Sequence, residues 1–380
     1  FEVDRYKCSD VIDVMHGMIF QGVLKEESGN FFVSPLSVET ILAFAQSGCK
    51  DATAQEIRAA LFLPDDKDQV EVGVKNFLPR IKGGENYALH SANKMYIQED
   101  FDIKEGFKAA ATEVYRADLE NINFKKPDDA ARTMNKWVEE RTNSKIQNLI
   151  NSSDLTNGSR VILINALYFK ADWVYKFPLD NTSKFNFYRT STDVVQVDTM
   201  YISHCRYQCF DYCACKELNA KFLELPFTGG DASMVIILPN EKEGLAALEN
   251  QIESVFRPRQ LHRGLIDVSI PKFRIESRIC FKQILQNLGV HKAFDEKEAD
   301  LSGIAGDKGD LVIDDVVQKT FVDVSEEGVE AAAATFVHVA IPLSGIEGEI
   351  PNFIADHPFI FYIKIKGVIV FAGRVTDPEQ

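Results

Sequence analysis

Residues 326–358 read EEGVEAAAATFVHVAIPLSGIEGEIPNFIADHP and divide into two physically different halves. In the first, Val329, Ala331, Ala333, Thr335, Val337, Val339 and Ile341 share one parity, so an extended chain would gather them on a single buriable face. A surface strand or a short Ala-rich helix over 327–336 is the competing local reading. The second half is loop-like: Gly345, Gly348 and Pro351 punctuate it, and neither a helical nor a strand period survives there. Gly328 supplies conformational freedom before the run, and Pro342 ends it because proline cannot donate to a central ladder. A thirteen-residue strand over 329–341 would reach about 43 Å, at ~3.3 Å per residue.

The surrounding chain has 380 residues, is 45% apolar and contains 27 phenylalanines, enough for an extensive core. No Pro/Gly/Ser-rich linker, charge block or low-complexity tract offers a cut point, so a single domain over 1–380 is expected. No 18-residue apolar run exists to span a membrane as a helix. The formal net charge of -15 carries no basic excess to neutralise phosphates, which argues against a nucleic-acid partner and leaves only local basic patches. The chain begins at Phe1 rather than Met, for which a cleaved signal peptide is one explanation. Sequons at Asn151, Asn157 and Asn181 fit a secreted glycoprotein. Seven cysteines leave at least one unpaired or paired between chains. Four of them, Cys205, Cys209, Cys213 and Cys215, lie within eleven residues and share parity. Their C-x3-C-x3-C-x-C spacing is not a zinc pattern and only His204 stands at a usable offset, so structural cysteines, free or disulfide-bonded, are expected rather than a metal.

Taken in order, the first 27 residues have helical spacing, with Val11, Ile12, Met15, Met18, Ile19 and Val23 on one face. A short strand at 31–33 leads into a helix capped by Ser34 or Ser37, with Pro35 near its start and Gly48 near its stop. Helices are expected at 53–62, 67–82, 104–115, 127–149, 244–256 and 281–288. Strands are expected at 91–97, 194–200, 205–212, 221–226, 233–238, 267–273, 317–324, 359–364 and 368–375. RVILINALYFKADW, ending at Trp173, suits a strand buried on both faces. Helices come first and strands dominate later, an α+β arrangement.

Eight blocks then carry a resemblance that no periodicity supplies. NFFVSPLSV, NALYFKADW, ELPFTGGDASMVIILP, DVSIPKFRIES, ADLSGI, VVQKTFVDVSEEGVEAAAAT, HPFIFYI and FAGRV each resemble a serpin block, in the serpin order and across essentially the whole chain. The resemblance implies a fold of three β-sheets and about nine helices with an exposed reactive-centre loop, here about 328–357. It implies no enzyme activity but suicide inhibition of serine proteases. The loop is attacked as a substrate, an acyl-enzyme forms, and the loop inserts into the main sheet before hydrolysis finishes. The hinge maps to Glu326, Glu327, Gly328, Val329, Glu330, Ala331, Ala332, Ala333 and Ala334. Its inward residues are small or β-branched, and Glu330 and His338 fall on the outer parity, so the residues suit insertion. A non-inhibitory member acting as carrier, chaperone or decoy is the alternative.

The scissile bond is reached by two counts that differ by about five residues, because the loop is longer than the family's. From the hinge the count reaches Pro342–Leu343 or Leu343–Ser344; from Pro358 it reaches Glu347–Gly348. A hinge already partly inserted at rest would accommodate the excess. By resemblance, Ser34, Ser37 and Asn165 lie beneath the point where the sheet opens and Trp173 lies at its top, while Gln318 stands where many members carry histidine. A heparin-like glycosaminoglycan would be an activator rather than a required cofactor, and two basic patches qualify: Lys75, Arg80 and Lys82, and Arg257, Arg259, His262 and Arg263. A monomer is expected. No G-x-S-x-G, H-E-x-x-H, P-loop or G-x-G-x-x-G motif is present.

Overall fold

In the computed structural model of the chain, the residues described are 3–203, 210–330 and 351–380. Among them are nine α-helices and three β-sheets. Val161–Asp172, drawn from the nearly continuous apolar run, buries each of its first nine residues. A strand of that composition can only sit inside a sheet covered on both faces. The six-stranded main sheet has the order Phe273–Cys280, Ile313–Ser325, Gly328–Val329, Val161–Asp172, Tyr87–Gln98, Asp118–Ile122. Helix Pro127–Arg141 packs on one face through Met134 and Val138, against Ile164, Val317 and Phe321. The other face meets the body of the molecule.

At the centre of the main sheet, Ile313–Ser325 and Val161–Asp172 run parallel and pair directly from Ile313 opposite Val161 to Phe321 opposite Tyr168. Beyond Phe321 they part. Gly328–Val329 occupies the gap, antiparallel to both neighbours, with Val329 opposite Val324 on one side and Ala171 on the other. Val329 is fully buried, so the inward parity expected for the stretch holds at its first residue. Residues 331–341, the rest of the expected strand, lie outside the described residues.

The seven-stranded sheet runs Phe31–Val33, Val368–Val375, Phe359–Ile365, Ala232–Pro239, Ala220–Pro226, Phe210–Cys215, His262–Gly264. The four-stranded sheet runs Asn352–Ile354, Asp267–Pro271, Val194–Ile202, Ser183–Tyr188. Helix Pro35–Ser47 is buried throughout from Pro35 to Ala45, its polar Ser37, Glu39 and Thr40 included, and Thr40 Oγ1 donates to the Leu36 carbonyl at 2.8 Å. Its N-terminus is closed by Ser34, whose Oγ accepts from the Ser37 amide at 3.3 Å.

Several expected elements differ. The helix expected over 127–149 ends at Arg141. Thr142 turns its hydroxyl onto the Val138 carbonyl at 2.7 Å, and Asn143, Ser144 and Asn148 adopt left-handed φ of 48°, 59° and 51°. The apolar residues that sustained the helical pattern, Ile146, Leu149 and Ile150, are instead buried in the irregular return segment. The helix expected over 244–256 is two short ones, Leu245–Glu249 and Ile252–Phe256, separated at Gln251. The single strand expected over 267–273 is a corner at Lys272, with Asp267–Pro271 in one sheet and Phe273–Cys280 in another. The strand expected at 205–212 is Phe210–Cys215, with 204–209 outside the described residues.

Gly328 has φ 152°, and a Cβ there would lie 2.1 Å from the Ala171 carbonyl oxygen. Only glycine fits. Gly328→Ala is therefore expected to expel the two-residue strand: amide exchange at Val329 should accelerate while protection over 316–321 persists. Unchanged Val329 protection would show that the seat tolerates a side chain.

Candidate functional site

The site is the line along which the main sheet would part. Gln318 and Asn165 face each other across the parallel pairing, and Asn93 faces Asn165 from the next strand. Gln318 is fully buried and makes a bridge of hydrogen bonds. Its Oε1 accepts from the Ser34 amide at 2.8 Å, and its Nε2 donates to the Ser34 carbonyl at 3.0 Å and to Asn165 Oδ1. Asn165 Nδ2 in turn donates to Ser37 Oγ and Asn93 Oδ1. Ser34 Oγ donates to the Val370 carbonyl at 2.7 Å, joining the cluster to the seven-stranded sheet. The structure thus brings Ser34, Ser37, Asn165 and Gln318 together. Gln318 fills this place because a primary amide both donates and accepts. Asn93 is the member that sequence reasoning missed; nothing in ANKMYIQ distinguishes it from a surface strand residue.

At the top of the opening, Trp173 donates from its indole nitrogen to the Ser325 carbonyl at 2.9 Å and stacks on Phe227 with centroids 4.5 Å apart. Its backbone amide donates to the Glu327 carbonyl at 3.0 Å, and Phe177 donates to that of Glu326, also at 3.0 Å. The acidic residues of the hinge are each held by a separate lysine. Glu326 meets Lys272 at 2.9 Å and accepts from the Thr182 hydroxyl at 2.8 Å. Glu327 meets Lys176 at 2.5 Å, and Glu330 meets Lys145 at 2.6 Å. Glu330, at φ 52°, turns the backbone as its amide donates to the Asp323 carbonyl at 2.8 Å. The glutamate expected to reach solvent is thus half-buried and paired.

Burial pushes the Glu326 carboxyl upward, but the hydrogen bonds from Lys272 and Thr182 outweigh it and hold the group below the usual glutamate range. The Lys176 ammonium is held above its ordinary value, first by its bond to Glu327 against the cost of burial, then by Asp172. Burial raises the Asp323 carboxyl, and the neighbouring Glu330 charge adds to the rise.

The candidate scissile residues Leu343, Ser344, Glu347 and Gly348, and the hinge alanines Ala331, Ala332, Ala333 and Ala334, lie outside the described residues. The chain is described again from Pro351, and Asn352–Ile354 pairs parallel to Asp267–Pro271. Asn151, Asn157 and Asn181 are exposed. Lys75, Arg80 and Lys82 are exposed on or just after helix Lys67–Ile81, with no ion pair among the described residues. Arg116, which the sequence did not single out, lines the same cleft as Lys82. In the second patch Arg257 and Arg263 are exposed, but Arg259 is half-buried and committed to the Ser254 carbonyl at 2.7 Å.

With this geometry in view, the relatives agree. The serpin (serine protease inhibitor) family model matches residues 17–378. The chain is 36% identical to bovine leukocyte elastase inhibitor over 92% of its length and 94% of that protein's. It is 35% identical to serine protease inhibitor 42Dd of Drosophila melanogaster over 95% of both. The crystal structure of Serpin48, a highly specific serpin of the insect Tenebrio molitor, superposes with a TM-score of 0.91 at 50% identity, covering 97% of each chain. The chain belongs to the serpin family, and its fold is the serpin fold.

Two outcomes follow from the cluster and the hinge. Gln318→Ala leaves the Ser34 amide and Asn165 Oδ1 without partners, and is expected to cost about 2–4 kcal/mol in urea unfolding at unchanged slope. Gln318→His, which keeps a donor and an acceptor, should lose less; equal losses would count against the bridging role. For Glu326 the depressed folded value means its stabilisation is complete above the unfolded value and disappears as the pH falls through the folded one. The stability gap between the native chain and Glu326→Gln should therefore be constant above the unfolded glutamate range, about pH 5, and shrink as the pH falls below it. A gap that widens on acidification would reverse the assignment.

Proposed function

We propose that this chain is a secreted suicide-substrate inhibitor of serine proteases. The observation that carries the reading is Gly328–Val329, already seated between Ile313–Ser325 and Val161–Asp172. A protease serine attacks the carbonyl of Leu343 or Glu347 and an acyl-enzyme forms. The freed strand 329–341 then follows Val329 into the sheet, carrying the tethered protease with it. Each step downward separates another parallel pair and makes antiparallel pairs on both sides. Each buried Val adds roughly 1.5–3 kcal/mol of apolar burial. Glu330 must exchange its Lys145 contact for solvent on the outer parity, so that ion pair favours the resting state. The longer loop agrees with a hinge partly inserted at rest.

Exposed sequons at Asn151, Asn157 and Asn181 support secretion and glycosylation. The cations Lys75, Arg80, Lys82 and Arg116, exposed and without an ion pair among the described residues, are the better-placed glycosaminoglycan surface, because Arg259 of the other patch is engaged internally. A sulfated chain bound there would act by biasing the equilibrium between seated and released hinge.

Incubation with elastase- or chymotrypsin-like proteases should yield an SDS-stable complex and release a C-terminal fragment beginning at Ser344 if Leu343 is the bait, whereas an acid-preferring serine protease should release one beginning at Gly348 if Glu347 is. Val329→Arg, which places a charge at a fully buried position, should convert the chain into a substrate: cleavage continues and the complex is lost. Clean cleavage of the native chain without complex or heat stabilisation would instead identify a carrier or decoy. Retention on heparin beyond the void, weakened in Lys82→Gln with Arg116→Gln, tests the polyanion surface.

A further inference from the structure

Helix Lys67–Ile81, strand Tyr87–Gln98 and the buried helix Pro35–Ser47 enclose a cleft of about 290 Å³. Leu36, Leu78, Ile81, Leu89 and Leu167 form its apolar walls, and all are buried or half-buried. Three members of the amide cluster, Ser34, Ser37 and Asn93, also line it. Two exposed cations, Lys82 and Arg116, complete the lining, and no acidic residue joins them among the described residues. Lys82 follows the last turn of helix Lys67–Ile81. Arg116 follows the helical segment Ala111–Tyr115 at a left-handed φ of 51°. The chain carries a net charge of -15, so two cations without an opposing charge, set beside hydrocarbon walls, are a local exception. They complement an anion that has an apolar body.

We propose that this cleft binds a small amphiphilic carboxylate of the medium-chain fatty acid class. Its hydrocarbon lies against Leu36, Ile81, Leu89 and Leu167, and its carboxylate meets Lys82 and Arg116. The burial pattern sets that polarity, since the apolar side chains lie inward and the cations reach solvent. A volume at the lower end of the range for small-molecule pockets limits the occupant to a single short chain. A sulfated polysaccharide could engage the same two cations from outside, but it gains nothing from the apolar walls, so the two kinds of ligand are separable. Helix Pro35–Ser47 and strand Tyr87–Gln98 meet where Ser37 Oγ donates to Asn93 Oδ1 at 3.4 Å. An occupant touching both elements stabilises the arrangement that holds them together.

Decanoate serves as the probe and decanol as its neutral counterpart, each titrated calorimetrically into the full chain. At low salt decanoate should bind about tenfold more tightly or better, and high salt should shrink that advantage. Lys82→Gln combined with Arg116→Gln, both at exposed positions, should erase the advantage while decanol binding and thermal unfolding stay as they were. Leu89→Trp, which fills the cleft from a half-buried position, should abolish binding of both probes. If that variant fails to fold, the paired charge substitutions decide the matter alone. No detectable decanoate binding, equal affinities for the two probes, an advantage that survives the double substitution, or undiminished binding to a folded Leu89→Trp chain would each overturn the proposal.

Discussion

The structure depends on one weak seam, the parallel pairing between Ile313–Ser325 and Val161–Asp172. Parallel ladders have slanted bonds and are slightly less stable per residue than antiparallel ones. A strand entering between these two runs antiparallel to both, as Gly328–Val329 already does, and replaces one parallel interface with two antiparallel ones. The favourable direction of change is thus contained in the strand polarities. Beneath the seated pair the seam is closed by the hydrogen-bonded cluster, where Gln318 ties the two strands to each other and to the N-terminus of helix Pro35–Ser47.

The hinge above the seam is governed by electrostatics rather than by packing alone. Lys272 comes from the corner between two sheets, Lys176 from the segment after the central strand, and Lys145 from the return after helix Pro127–Arg141. Exposed ion pairs contribute little, whereas a partly buried carboxylate left without its lysine is costly. The three pairs therefore act more as a register than as a store of stability. They hold the described end of the hinge at Glu330, where the backbone turns to a left-handed φ.

Much of this was legible in the chain. The doubly buried strand was written in its nearly unbroken apolar run and the inward position of Val329 in the parity of the hinge, while the cap was narrowed to Ser34 or Ser37 and the fold chose Ser34. The misreadings share a cause. Ile146, Leu149 and Ile150 continue a helical period and so extended the helix on paper, yet they are buried without one because Asn143 and Ser144 reverse the backbone. Likewise 267–273 reads as one strand, and only the separate destinations of Asp267–Pro271 and Phe273–Cys280 turn Lys272 into a corner.

By itself, the sequence determined which segments are apolar, which can extend, and that the hinge carries only small or β-branched residues on its inward parity. These are local properties, set by side-chain volume, branching and period. Tertiary structure alone decided that Asn93 completes the amide cluster, that three lysines distant in sequence meet three hinge glutamates, and that Gly328 must be glycine. Each of those depends on groups brought within hydrogen-bonding or contact distance by strand order. Strand order is settled by the packing of the whole core and leaves no local period to read.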